Sequence, residues 1–179
     1  MCVYSSGYNI FTKGTYKLFF ESLEKQNYTN FHIVYVDDTS PDQSAYKIFD
    51  YLDQRNSRLT NRIKIVHTLQ HLGSLGNMFF WIQKYCGEGD IVTVIDADDS
   101  AIGKQTLKVL NAVYRQKDYW YVYTNYVGMS YIRNSPIYRK GISSMKFIGS
   151  LSTYRVFELM WFTSHMKTFK KLLMDVIPI

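Results

Sequence analysis

Apolar residues along this chain fall into short unbroken runs, separated by stretches in which they recur every three or four positions. HIVYV at 32–36, IKIV at 63–66, IVTVI at 91–95 and YWYVYTNYV at 119–127 read as strands. Runs with apolar residues at successive positions are those of a sheet covered on both faces. Between the earlier runs the spacing predicts helices. TYKLFFESLEKQ at 15–26 places Leu18, Phe19, Ser22 and Leu23 on one helical face. Residues 40–56 open on Ser40, Pro41, Asp42 and Gln43, an N-cap, a Pro at the first helical position and a Gln that closes a capping box. Tyr46, Phe49, Tyr51 and Leu52 then face inward. Further helices are expected from about Leu75 to Cys86 and from Gly103 to Tyr114, the latter with Leu107, Leu110 and Val113 as its stripe. This alternation predicts an α/β fold with a mostly parallel sheet flanked by helices. MCVY is short for a central strand, so the N-terminus is expected to lack residues that complete it. Residues 128–152, with several Gly and Ser, read as a long loop serving a site, and WFTSHMKTFKKLLM at 161–174 resumes helical spacing.

With 179 residues, 46% of them hydrophobic, the chain is long enough for one substantial core and short for two, so 1–179 is expected to be a single domain. A formal charge of +6 suits an anionic partner such as a nucleotide or a phospholipid surface. No Lys/Arg block is present, which argues against nucleic acid. Cys2 and Cys86 match no CxxC or zinc spacing and are expected as reduced thiols in a cytosol-like, cytoplasmic compartment, with a pairing of the two as the open alternative. No apolar stretch reaches the roughly 18 to 20 residues of a membrane span, which leaves peripheral membrane association open. The 16 Tyr and 11 Phe are assigned to packing.

The chemistry lies where strands end. Ligands of an open parallel sheet collect beyond the carboxyl ends of its strands, and Asp37-Asp38 after HIVYV and Asp96-Ala97-Asp98-Asp99 after IVTVI fall at that edge. If extended geometry persists, Asp96 and Asp98 point the same way while Ala97 packs behind. Convergent carboxylates suit a hard divalent cation, Mn²⁺ or Mg²⁺, which offsets their mutual repulsion. An EF-hand is excluded, because Ala101 and Leu107 stand where its Gly and bidentate Glu belong. The absence of a Gly-rich basic loop near the N-terminus argues against a nucleotidyltransferase. The bland alternatives are that Asp98-Asp99-Ser100 cap a following helix and that Asp37-Asp38 cap a turn.

NYTNFHIVYVDDTSPDQS, followed by HLGSLGNMFFWIQKYCGEGDIVTVIDADDSA, resembles the nucleotide-binding half of the family 2 glycosyltransferases of GT-A fold. SGYN at 6–9 resembles the family's first-strand turn, IDADD its DXD motif, and MWFTSHMKTFKKLL a segment found before the catalytic region in part of the family. The resemblance implies a metal-dependent transferase that moves a sugar from a nucleotide-diphospho-sugar, a UDP-sugar, to a glycan, lipid or protein acceptor with inversion. It places uracil and ribose against Ser6, Tyr8 and Asp38, with Asp37 beside them. Asp96 and Asp98 would hold the cation at the diphosphate, Asp96 also touching the nucleotide, and Asp99 would line the donor-sugar pocket. His71 stands nearest to the basic residue the family often carries before a glycine, and His165 would face diphosphate or acceptor. Glu158 and Asp175 come too early in the chain for the family's general base, which is expected beyond Ile179. A non-catalytic nucleotide-sugar-binding fragment of such an enzyme is the alternative.

Overall fold

The computed structural model describes residues 1–124, 126–132, 135–141 and 166–175. In chain order the strands are β1 (Cys2–Gly7), β2 (His32–Asp37), β3 (Ile63–His67), β4 (Ile91–Val94), β5 (Tyr121–Tyr123), β6 (Tyr126–Ile132), β7 (Ser135–Gly141) and β8 (Lys167–Lys170). The helices are α1 (Ile10–Lys13), α2 (Tyr16–Glu24), α3 (Ser44–Gln54), α4 (Gly73–Tyr85), α5 (Thr106–Gln116) and α6 (Leu172–Asp175). Six strands form one sheet in the order β3-β2-β1-β4-β8-β5, parallel from β3 to β4, with β8 antiparallel to both its neighbours. β6 and β7 pair as a separate antiparallel two-stranded sheet.

Alternation along the strands divides the core into two layers. Val3, Ile33 and Tyr35 point to one face, where Phe19, Phe20 and Leu23 of α2, Ile48 and Leu52 of α3, and Leu107 and Leu110 of α5 cover them. Tyr4, Val34, Val36, Val92 and Val94 point to the other, against Met78 and Ile82 of α4 and Leu173 and Met174 of α6. Each such apolar side chain stabilises the fold by roughly 1.5–3 kcal/mol through burial, before chain entropy is set against it.

Several local expectations are corrected. β1 is not confined to MCVY, since Ser5, Ser6 and Gly7 continue its pairing with β2. In α2 the buried face holds Tyr16 and Phe20 beside Phe19, Ser22 and Leu23, and Leu18 is exposed. In α3 it is Ala45, Ile48 and Leu52 that face inward, while Tyr46 and Phe49 lie outside. The expected capping box does not form: α3 begins at Ser44, whose amide donates to Asp42 Oδ1 at 3.0 Å, while Asp42 Oδ2 reaches across to the Thr12 amide of α1. YWYVYTNYV divides between β5 and β6, and part of the expected long loop is the β6–β7 hairpin. KTFK, expected as helix, is strand β8. Its pairing covers what would be a bare edge of β4, and the Thr168 hydroxyl, fully buried, donates to the Val122 carbonyl at 2.7 Å.

Cys2 and Cys86 are joined in a disulfide rather than held as separate thiols. They are 84 residues apart in sequence, but α4 packs on the face to which Cys2 points, and their Cα atoms come within 5.7 Å. Among the described residues, no helix is long and apolar enough to cross a membrane.

Candidate functional site

The crossover from β3 to β4 passes through α4, on the opposite face from α2 and α3, which cover the first two crossovers. This reversal opens a crevice beyond the carboxyl ends of β1 and β4. The loops after β1, β2 and β4 meet there and carry Ser6 and Tyr8, Asp37 and Asp38, and Asp96 to Asp99.

The two acids after β2 illustrate how alternation assigns roles. Asp37 has the parity of Ile33 and Tyr35 and turns to the α3 face, with no surface open to solvent. It accepts the Ser40 and Ala45 amides, each at 3.2 Å, and lies 2.9 Å from His67 Nδ1. Asp38 has the parity of Val34 and Val36 and turns to the α4 face. It accepts the Leu72 and Gly73 amides, both at 3.0 Å, and the Thr68 hydroxyl at 3.2 Å, with His71 Nδ1 2.8 Å away. Each carboxylate thus satisfies amide donors at the N-terminus of a different helix, where negative charge also meets the helix dipole. Gly73 holds a φ of +70°, a conformation that costs other residues roughly 1–2 kcal/mol, and so delivers its amide to Asp38 without strain.

Tyr8, half-exposed, packs its ring against His71 with centroids 6.1 Å apart at 74°. Tyr8, His71 and Asp38 are therefore brought together, whereas Asp37 lies on the other face of β2 and Ser6 on β1 beside Val36. Residues that the sequence marked only as helix caps, or not at all, hold the Tyr8 loop in place. Ser40 Oγ accepts the Asn9 amide at 2.9 Å, Ser44 Oγ the Phe11 amide at 3.2 Å, and Asp42 Oδ2 both the amide of Thr12 and its hydroxyl at 3.0 and 2.7 Å. The signal was present in the Ser and Asp of TSPDQS, but local capping rules assign those side chains to their own helix. Asn77, fully buried in α4, accepts the Trp81 indole N–H at 3.2 Å through Oδ1, which leaves Nδ2 for Asp38. No acceptor meets strict hydrogen-bond geometry at Nδ2, so that contact is a weak one.

Burial alone would raise the Asp38 pKa. Asn77, the Leu72 and Gly73 amides and His71 together outweigh it and hold the carboxyl below its ordinary value. Asp42 is lowered in the same way, its desolvation outweighed by hydrogen bonds from Ser44 and Thr12. A carboxyl depressed in the folded state binds fewer protons there than in the unfolded chain, so stability rises with pH where the unfolded group titrates, near 4. This contribution is complete above about pH 5 and is lost as pH falls through the lowered folded values. Asp38→Asn should flatten that acid limb, measured as urea midpoints between about pH 6 and pH 2.

Beyond β4, the Ile95 amide still pairs with the Tyr4 carbonyl at 3.0 Å, but extended geometry ends at Asp96, where the Asp99 amide donates to the Asp96 carbonyl at 2.9 Å and closes a turn. The alternation survives the turn: Asp96 and Asp98 are exposed while Ala97 is buried in the core. Gly7 makes this approach possible. A Cβ there would stand 2.9 Å from the Ala97 Cβ and 2.3 Å from Ile10 Cγ1. Asp96, Asp98 and Asp99 do not bring three ligand oxygens within 4.8 Å of one another. Asp96 and Asp98 offer exposed carboxylate oxygens, the donor type by which Mg²⁺ is commonly held.

Glu158 and His165 lie outside the described residues. Asp175 sits at the opposite end of the sheet, because β8 runs antiparallel to β4 and delivers α6 beside Asp90, where Asp175 pairs with Lys171 Nζ at 2.6 Å. Lys171 lowers its pKa.

Fold and crevice together define an α/β domain of the GT-A glycosyltransferase kind. The model of glycosyl transferase family 2 matches residues 15–174, and the chain belongs to that family. Comparison with curated proteins gives no match. Among solved structures, TarS 1-349 of S. aureus is similar at 27% identity and a TM-score of 0.55, over 67% of this chain and 33% of that one. TarS 1-349 in complex with UDP-GlcNAc is similar over 97% of this chain and 46% of that one, at 20% identity and a TM-score of 0.63. The mannosyltransferase PcManGT of Pyrobaculum calidifontis, in complex with GDP-Man and Mn²⁺, matches at 17% identity and a TM-score of 0.57, over 67% of this chain and 33% of that one. The chain thus spans less than half the length of these structures.

Proposed function

We propose that this chain binds the donor of an inverting glycosyl transfer, a UDP-linked sugar, at the crevice between β1 and β4. The observation that supports this reading is that the contact of Tyr8 and Asp38 with His71 and the exposed Asp96 and Asp98 follow the same ends of neighbouring parallel strands. The base and ribose lie against Ser6, Tyr8 and the Asp38 edge. His71, exposed beside Asp38, stands toward the diphosphate, and Asp99 toward the sugar. Asp96 and Asp98 would hold Mn²⁺ or Mg²⁺. When bound, that ion supplies positive charge to the departing diphosphate.

Inversion also requires a base within hydrogen-bond reach of the acceptor oxygen, a hydroxyl of a glycan, lipid or protein. Asp175 is excluded from that role by its place at the far end of the sheet. The complexes of TarS with UDP-GlcNAc and with UDP favour a uridine donor, and that of PcManGT favours Mn²⁺ as the ion. Calorimetric titration with UDP, GDP and ADP, each with and without Mn²⁺, tests the proposal. UDP is expected to bind one per chain, more tightly than GDP or ADP, and to weaken when the metal is chelated. Equal binding of all three nucleotides, or no binding, would overturn it.

A further inference from the structure

The end of the sheet opposite the acidic crevice carries a second cluster of ligand-bearing side chains. Cys2 opens β1, His32 opens β2, and the two are paired in register on neighbouring strands. Cys86 follows the last turn of α4, on the face to which Cys2 points. The two sulfurs and a ring nitrogen of His32 all lie within 4.8 Å of one another, and this is the one such trio of His, Cys, Asp or Glu among the described residues. Both cysteines are buried. The His32 ring is partly exposed, but its Nε2 is buried without a hydrogen-bond partner and lies 3.8 Å from Asp90 Oδ2. A turn from Gly87 to Asp90 holds that carboxylate, through Asp90 N–H to Gly87 O and Gly87 N–H to Asp90 Oδ2, each at 2.9 Å.

We propose that Cys2, Cys86 and His32 form a redox-switched soft-metal site, a disulfide when oxidised and a Zn²⁺ site when reduced. Zinc bonds of about 2.3 Å to sulfur and 2.0 Å to nitrogen put the ligand atoms of a tetrahedral site roughly 3.4–3.8 Å apart. A trio already within 4.8 Å is close to that spacing once the S–S bond opens. Asp90, or water, completes four ligands. Two thiolates and an imidazole select zinc over the hard cation assigned to Asp96 and Asp98. An external dithiol supplies the switch. It gives two electrons to the S–S bond and is oxidised to its own disulfide, and both cysteine protons pass to solvent as the thiolates bind metal. The inference is independent of the donor-site reading, which concerns the other end of the sheet.

The whole chain, treated with dithiothreitol, freed of it without air and counted for thiols, is titrated with Co²⁺ as a spectroscopic stand-in for Zn²⁺. The expected result is two thiols per chain and one Co²⁺, with a thiolate-to-cobalt charge-transfer band and the intense visible bands of tetrahedral cobalt. Zn²⁺ should displace it, and oxidation to the disulfide should abolish it. His32→Ala should weaken Zn²⁺ by about 10-fold or more, since even changes outside the ligand shell cost 10- to 100-fold. Cys86→Ser, which leaves one thiolate, should weaken Co²⁺ binding and reduce the charge-transfer band per bound Co²⁺ by about half, while Mn²⁺-dependent UDP binding persists. If Cys86→Ser does not fold, reduced wild type and His32→Ala carry the test alone. Thiols that stay blocked in the folded chain, a folded dithiol chain with no charge-transfer band, or a site indifferent to His32→Ala would each overturn the proposal.

Discussion

Replacing Asp37 by Ala is expected to destabilise the chain by several kcal/mol, at about 1–3 kcal/mol for each buried amide left without its acceptor. Asp37 is fully buried and serves three groups at once: the Ser40 amide, the Ala45 amide in the first turn of α3, and His67 Nδ1. Its loss leaves both amides and the imidazole without their acceptor, beside a cavity the size of a carboxylate. Against a total stability of roughly 5–15 kcal/mol, much of the margin disappears. A domain of this size should lose on the order of 10 °C in Tm. Asp37→Asn keeps the volume and one acceptor oxygen, so it should lie between wild type and Asp37→Ala. Thermal and urea unfolding check both. UDP affinity of the folded Asp37→Asn fraction should stay near wild type, because Asp37 acts by fixing the Ser40 turn and α3. A small stability change together with a large loss of UDP affinity would show that Asp37 touches the nucleotide directly.

The sequence made the parallel strands and their order of appearance readable, because HIVYV, IKIV and IVTVI carry their burial in consecutive residues. The acidic edge was readable for the same reason, since each cluster directly follows such a run. Elements decided by distant partners were not. KTFK has the spacing of a helix, and only the unpaired edge of β4 and the Tyr114 and Val122 oxygens that meet Thr168 make it a strand. TSPDQS has the pattern of a capping box, yet its side chains satisfy amides of α1 some 30 residues away. Periodicity placed Tyr46 and Phe49 inward because they are aromatic, whereas the layer beneath α3 is already filled by Ile48, Leu52 and Phe19. The Cys2–Cys86 pairing was left open, because no spacing rule spans the 84 residues that the fold brings together.

Within the site, parity along β2 sends its two acids to opposite faces. Asp37 and Asp38 are each committed to a helix N-terminus, one on each face, and Asp38 keeps its edge toward Tyr8 and His71. Asp96 and Asp98 differ from them in being exposed on a turn that Gly7 and Ala97 hold against the core. Their carboxylates lie at the surface, where those of Asp37 and Asp38 are buried against helix N-termini.

For this reason Asp98→Asn is expected to leave stability nearly unchanged and to weaken Mn²⁺-dependent UDP binding by about 10-fold or more, roughly 1.4 kcal/mol upward. The amide keeps the shape of the side chain but removes one negative charge and one of its two acceptor oxygens, which a hard cation does not recover from a neutral ligand. UDP binding measured in chelator should be the same for wild type and variant, so the whole effect should appear as a lost response to Mn²⁺. If Asp98 merely caps the segment leading into α5, the pattern reverses. Stability then falls by about 1 kcal/mol while the Mn²⁺ response stays intact. Calorimetric titration of UDP at fixed Mn²⁺ and in chelator, run beside urea unfolding of the same preparations, separates the two outcomes, and an unchanged Mn²⁺ response in a folded Asp98→Asn chain removes Asp98 from the metal site.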